Sequence, residues 1–88
     1  MTEEEYIKGV CKKIKQIRVN KKMTQIELAS KIGIDDSSLR RIESGNTNPT
    51  LKTIFRIALA FEIDVNEIFS FTIVTEILNK NQDLSEDK

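Results

Sequence analysis

The chain has 88 residues, which is enough for one small domain with a modest hydrophobic core. It contains one cysteine and no histidine, so an internal disulfide, Cys/His zinc sites and Ser-His or Cys-His nucleophile pairs are excluded, and we expect no metal, no cofactor and no enzymatic activity. There is no run of about 18 apolar residues, and the acidic start MTEEEYIKG lacks the apolar segment of a signal peptide, which predicts a cytoplasmic protein with no membrane partner.

The positive charges are concentrated in the middle of the chain, although the net charge is zero. Residues 6–60 hold 12 Lys+Arg against 4 Asp+Glu, whereas residues 1–5 carry −3 and residues 61–88 carry −5. Attraction to phosphates depends on the local patch rather than on the chain total, so a nucleic-acid partner is not excluded. Lysine-rich solvated faces are also common on helical proteins, and the charge pattern alone leaves both interpretations open.

The first predicted helix spans Glu4–Lys21. Its apolar residues recur at helical spacing and would form one buried face made of Ile7, Val10, Cys11, Ile14 and Ile17. The place of Cys11 on this face favours a buried small hydrophobe over a redox switch.

A short second helix is predicted over Gln25–Ile32. Thr24 can cap it, and Glu27 lies three residues later, which is the capping-box pattern. Gly33 supplies the left-handed residue that would end the helix and make a tight turn.

The third predicted helix, Asp36–Ser44, follows that turn directly. Asp35 can cap it, Leu39 and Ile42 form its inner face, and Gly45 would end it as a left-handed residue. Two short helices joined by a tight turn are the layout of a helix-turn-helix, in which the second helix is shaped to lie in a DNA major groove.

Two more helices are predicted after a cluster of turn residues that ends at Pro49. Thr50 can cap a fourth helix over Leu51–Phe61, and Asp64 can cap a fifth over Val65–Ser70. No segment predicts a strand with confidence.

The sequence therefore predicts an all-α fold, with a compact five-helix domain over residues 4–70 and a short C-terminal extension over residues 71–88. The extension starts with an apolar segment at about 71–78, where Ile73, Val74, Ile77 and Leu78 recur as one face of a helix would. The acidic residues after it lose that pattern, and we expect them to be disordered.

Twelve spaced residues match the pattern of a known family: Arg18, Thr24, Gln25, Leu28, Ala29, Gly33, Ile34, Ile42, Glu43, Gly45, Asn48 and Pro49. Through them the chain resembles the phage repressor and Cro type of helix-turn-helix regulator, the XRE family, from about Val10 to Phe69. It departs from the family at Asp36, where a polar or basic residue is frequent, and at Glu62, where glycine is common.

The resemblance implies a DNA-binding surface on the second and third helices, the loop after them and the start of the fourth helix. Its members are Thr24, Gln25, Asp36, Ser37, Ser38, Arg40, Arg41, Asn46, Thr47, Asn48 and Lys52. Gln25 is implied to touch the DNA backbone and sometimes a base edge, and Arg41 is the candidate for bidentate recognition of guanine. Asp36 either caps its helix or accepts from cytosine N4, and both roles stay open.

The resemblance also implies an ion pair between Arg18 and Glu43. Both residues adjoin core positions, Ile17 and Ile42, which favours partial burial of the pair. The alternative is two separate surface charges.

The resulting hypothesis is a sequence-specific transcriptional regulator that binds a paired operator in double-stranded DNA as a homodimer. The expected dimer interface is apolar and consists of Phe69, Phe71, Ile73, Val74, Ile77 and Leu78, with Leu59 as an extension. The alternative is that this stripe folds back onto its own domain. Phage-type repressors, restriction-modification controllers and antitoxins that also bind a toxin all fit the pattern, and the rival class is a protein-interaction module of the same fold.

Overall fold

Four α-helices and a further helical segment make up the described part of the chain. In this computed structural model, which describes residues 2–70, the helices are α1 (Glu3–Asn20), α2 (Gln25–Ile32), α3 (Asp36–Glu43) and α4 (Leu51–Phe61), and residues 66–70 are also helical. The predicted all-α fold is confirmed, and the helix bounds agree with the prediction to within one residue. None of the helices in this part of the chain is long and apolar enough to cross a membrane. The extension predicted over residues 71–88 lies outside the described residues.

Threonine side chains begin three of the helices. The hydroxyls of Thr2, Thr24 and Thr50 each accept a hydrogen bond from the backbone N–H three residues further on. At α2 the capping box is complete, because Thr24 N–H also donates to Glu27 Oε1 (3.0 Å). The start of α2 predicted from the sequence is therefore confirmed.

Asp35 begins α3 without a side-chain hydrogen bond, so the predicted cap by its carboxylate is wrong. Its backbone does have N-cap geometry (φ −73°, ψ 152°), and Leu39 N–H donates to its carbonyl oxygen (3.0 Å). Asp35 is exposed, so water hydrates its carboxylate. Its charge then acts on α3 through the helix dipole, which favours anions at the N-terminus.

Each of the four helices is followed within two residues by a left-handed residue. Gly33 and Gly45, predicted for this role, have φ values of 75° and 80°. Lys22 and Glu62 reach the same conformation with φ values of 58° although they carry side chains, at a cost of about 1–2 kcal/mol each.

Glu62 ends α4 although it stands where the resemblance leads one to expect glycine. The N–H of Glu62 donates to Leu59 O (3.0 Å), and the N–H of Ile63 donates to Ala58 O (3.1 Å). This is the pair of bonds that ends a helix on a left-handed residue. The chain therefore makes the glycine-type turn with a glutamate in it.

A single hydrophobic core lies between the helices, with α1 and α2 each packed against α3 and α4. Its large side chains with almost no exposure come from every helical segment: Cys11, Ile14, Leu28, Leu39, Ile57, Phe61 and Ile68. Burying a Leu, Ile or Phe side chain contributes roughly 1.5–3 kcal/mol. Because Leu39 belongs to this core, α3 has a fixed orientation relative to the other helices.

Candidate nucleic-acid interface

The turn at Gly33 holds α2 and α3 as a pair. After left-handed Gly33, the N–H of Ile34 donates back to Ala29 O (3.0 Å). On α3, Leu39 and Ile42 are buried against the core. The opposite side of α3 therefore faces solvent at Ser37, Arg40 and Arg41.

That solvent side of α3 carries hydroxyl and guanidinium groups. Ser37, Arg40 and Arg41 are exposed, and Ser38 is half-buried. The two arginines stand in the last turn of the helix, where its dipole favours positive charge. Such donors can contact phosphates and the acceptors of base edges.

A buried ion pair fixes the end of α3 to α1. Arg18 Nε donates to Glu43 Oε2 (2.6 Å), and Arg18 Nη2 donates to Glu43 Oε1 (3.1 Å). The two residues are only 9% and 7% exposed. Arg18 Nη1 also donates to Met23 O (2.7 Å), in the connection between α1 and α2. The pair expected from the resemblance is thus a bidentate contact that joins three parts of the chain.

Gln25 belongs to the same hydrogen-bond network. Its Nε2 donates to Glu43 Oε1 (2.9 Å), the oxygen that also accepts from Arg18 Nη2. A carboxylate can only accept, so the amide nitrogen of Gln25 must face it. The amide oxygen and the second N–H of Gln25 make no hydrogen bond to another described residue.

The residues predicted to bind DNA surround three shallow depressions that cross α3. The first contains Lys15, Gln25, Ser37, Arg40 and Arg41; the second contains Lys22, Thr24, Gln25, Asp36 and Arg40; the third contains Ser38, Arg41, Thr47 and Asn48. Because the depressions share Gln25, Arg40 and Arg41, these residues form one continuous area, called here the recognition surface. Asn46 is exposed in the same loop as Thr47, and Lys52 is exposed in the first turn of α4.

Positive charge dominates the recognition surface. Glu43 also lines it, but its charge is paired with Arg18. Asp36, the first residue of α3, is half-buried and makes no hydrogen bond to another described residue. The helix dipole stabilises its carboxylate there.

The loop after α3 contacts Cys11 of α1. The thiol is fully buried, as predicted, and lies 3.9 Å from Thr47 O, to which it can donate. Burial raises the pKa of the Cys11 thiol, which keeps it protonated as a donor. The backbone of this part of the recognition surface is therefore attached to α1.

Lys15 and Lys22 line the recognition surface but were absent from the sequence-based set. Lys15 precedes Arg18 by one helical turn, a spacing that could have pointed to it. Lys22 lies in the left-handed turn after α1, where no helical periodicity gives its direction.

The family model for the helix-turn-helix, HTH_3, matches residues 14–68, well over half of the chain. The chain belongs to the helix-turn-helix family. Within it, the resemblance to the XRE type of phage repressors and regulators is confirmed by the relatives that follow. This helix-turn-helix protein is a DNA-binding transcriptional regulator.

Two relatives and one solved structure illustrate the similarity. An uncharacterized HTH-type transcriptional regulator of Archaeoglobus fulgidus is 37% identical over 59 residues, which cover 67% of this helix-turn-helix chain and 83% of that protein. The immunity repressor protein of Bacillus phage phi105 is 41% identical over 59 residues, which cover 67% of this chain and 41% of the repressor. The crystal structure of the restriction-modification controller protein C.AhdI from Aeromonas hydrophila has a TM-score of 0.68 and 29% identity, covering 74% of this chain and 97% of that chain.

Proposed function

We propose that this regulator binds a specific paired operator in double-stranded DNA as a homodimer. The observation that carries the proposal is the two-sided character of α3. Its inner side is fixed by Leu39 and by the Glu43 ion pair, whereas Ser37, Arg40 and Arg41 are exposed and do not belong to the core. A helix held in this way can enter a major groove without losing its orientation.

Base recognition is assigned to the outer side of α3 and to Gln25. Arg41 has the fork of donors that matches O6 and N7 of guanine. Gln25 presents an amide oxygen and one N–H, so it can pair with an adenine edge or donate to a phosphate. Ser37 and Ser38 can donate to or accept from either bases or phosphates.

Phosphate contacts are assigned to the residues around α3. Thr24, Asn46, Thr47, Asn48 and Lys52 are exposed on either side of it. Contacts of this kind fix the register of the protein on the duplex and carry no sequence information directly.

A homodimer is proposed because one eight-residue recognition helix covers too little DNA for high specificity. An exposed apolar stripe on α4 supports it, since Leu51, Phe55 and Leu59 recur every four residues and are 78%, 56% and 60% exposed. Phe69 of the expected interface is half-buried and packs against the core of its own domain. The remaining interface residues, 71–78, lie outside the described part of the chain.

The alternative of an antitoxin or another protein-interaction module is less well supported. The relatives compared above carry the names of regulators, a repressor and a controller protein. The positive recognition surface also suits phosphates better than an apolar protein groove.

Selection of bound sequences from a random pool of duplex DNA tests the proposal. We expect enrichment of a sequence with two related half-sites, centred about one helical turn (34–36 Å) or a multiple of it apart. Arg41→Ala should relax preference at one base pair of each half-site and weaken binding by about 1–3 kcal/mol. Lys31→Ala, an exposed residue at the end of α2 away from the recognition surface, is the matched control. A pool without enrichment for the parent protein would contradict sequence-specific binding.

A further inference from the structure

The face of α1 beside the recognition helix carries a row of lysines that no DNA contact described so far uses as a set. Lys8, Lys12 and Lys15 follow one another at spacings of four and three residues, so they lie on one face of α1. All three are exposed. These residues are called here the α1 lysine row.

Three contacts place this row beside the C-terminal part of α3 and the loop that follows it. Lys8 lies at the C-terminal end, because a Cβ atom on Gly45 would be only 2.9 Å from Lys8 Cγ and 3.6 Å from Lys8 Cα. One turn further along α1, Cys11 Sγ lies 3.9 Å from Thr47 O. Lys15 then shares a depression with Ser37 and, in the last turn of α3, with Arg40 and Arg41. The row therefore lies beside the C-terminal part of α3 and the loop after it, where Arg18 also joins α1 to Glu43.

The width of the DNA major groove indicates what the α1 lysine row would contact when α3 lies in the groove. A helix with its side chains is about 10–12 Å across, and the major groove is about 12 Å wide. Groups that stand beside the recognition helix on the same surface therefore meet the phosphate backbone at the edge of the groove rather than the bases.

We propose that the α1 lysine row is a phosphate clamp, which holds the DNA strand next to α3 and extends the footprint beyond the helix-turn-helix itself. This inference rests on the proposed operator binding and adds a surface to it. The clamp supplies affinity and register but no base preference, because ammonium groups on phosphates read no sequence. Glu43, the acidic group beside Lys15, does not oppose the clamp because it is paired with Arg18.

The test compares two double variants of the full chain that remove the same charge. Lys8→Gln with Lys15→Gln removes the two ends of the row, and Lys31→Gln with Arg56→Gln removes two charges around a depression at the other end of α2. Affinity for the selected operator is measured over a range of salt concentrations. Lys8→Arg with Lys15→Arg keeps both charges and serves as the rescue variant, and thermal melts establish that all variants fold.

Each phosphate contact contributes about −0.9 to the slope of the logarithm of the binding constant against the logarithm of the salt concentration. Loss of two contacts should therefore make this slope less steep by about 1.8 per bound protomer. We expect that change for the Lys8/Lys15 glutamine variant, with its base preference unaltered, and parental slopes for the Lys31/Arg56 and the arginine variants. Equal slopes for the two glutamine variants would overturn the clamp alone, as would an altered base preference in the row variant. A parent that binds duplex DNA without specificity or salt dependence would overturn the proposed function, and the clamp with it.

Discussion

Removal of the Glu43 carboxylate is expected to destabilise the fold much more than removal of an ordinary surface charge. Glu43→Ala leaves the guanidinium of Arg18 buried at 9% exposure with only its bond to Met23 O. Breaking a buried pair in this way costs about 3–5 kcal/mol, because the remaining charge is neither paired nor hydrated. At about 0.05–0.15 kcal/mol per residue, the 88-residue chain has a total stability of about 4–13 kcal/mol. The substitution therefore removes a large share of it.

Urea unfolding followed by circular dichroism measures this loss. Arg18→Met combined with Glu43→Leu removes both charges, and it should recover most of the lost stability because no unpaired charge stays buried. Glu43→Gln keeps one oxygen that can accept from Arg18 and should fall between the parent and the alanine variant. A loss below about 1 kcal/mol for Glu43→Ala, the value of an exposed ion pair, would refute the stabilising role of the buried pair.

Three further changes have defined outcomes. Glu62→Gly should stabilise the fold by about 0.5–1 kcal/mol, since relief of left-handed strain exceeds the extra chain entropy of glycine; a thermal melt at or below that of the parent would contradict it. Hydrogen bonds from the Thr24 backbone and side chain hold the pKa of Glu27 below its ordinary value. The stability that the ionised Glu27 carboxylate gives to the fold is therefore complete above the ordinary glutamate pKa of about 4.3, and it is lost as the pH falls through the lowered pKa. The stability difference between the parent and Glu27→Gln should therefore shrink in that acid range, and a difference independent of pH would count against the capping box. Ile73→Glu with Ile77→Glu should give a folded monomer by light scattering, and its operator affinity in a mobility-shift assay should be poor. An intact dimer would mean that the interface lies elsewhere.

Local signals in the sequence were sufficient to predict the helices. The capping box at Thr24 and the left-handed turn at Gly33 involve residues within one helical turn of each other, so their geometry follows from short-range sterics and hydrogen bonding. Asp35 shows where such a signal fails. An exposed carboxylate can be hydrated instead of bonding the helix N-terminus, and sequence spacing does not distinguish the two outcomes.

The parts of the interface that escaped prediction depend on how helices pack. Gln25 and Glu43 are 18 positions apart, and their hydrogen bond exists because α2 crosses α3 at the right place. Lys15 reaches the recognition surface for a similar reason, through the packing of α1 on α3. Gly45 has one property that local sequence predicts and one that depends on helix packing. Its positive φ was predictable, but its close approach to Lys8 required the packed structure.

The buried carboxylate of Glu43 links the stability of the fold to the orientation of Gln25, a side chain proposed to contact DNA. Its Oε1 accepts from Arg18, which fixes α3 to α1, and from Gln25, which fixes the direction of an amide on the recognition surface. Any change at Glu43 therefore alters stability and recognition together. Arg41, by contrast, is exposed on the side of α3 that the core does not use, so it can be replaced at little cost in stability. In this arrangement, substitutions on the outer side of α3 can change the DNA sequence preference. The inner side of α3 meanwhile keeps the helix in the orientation that base recognition requires.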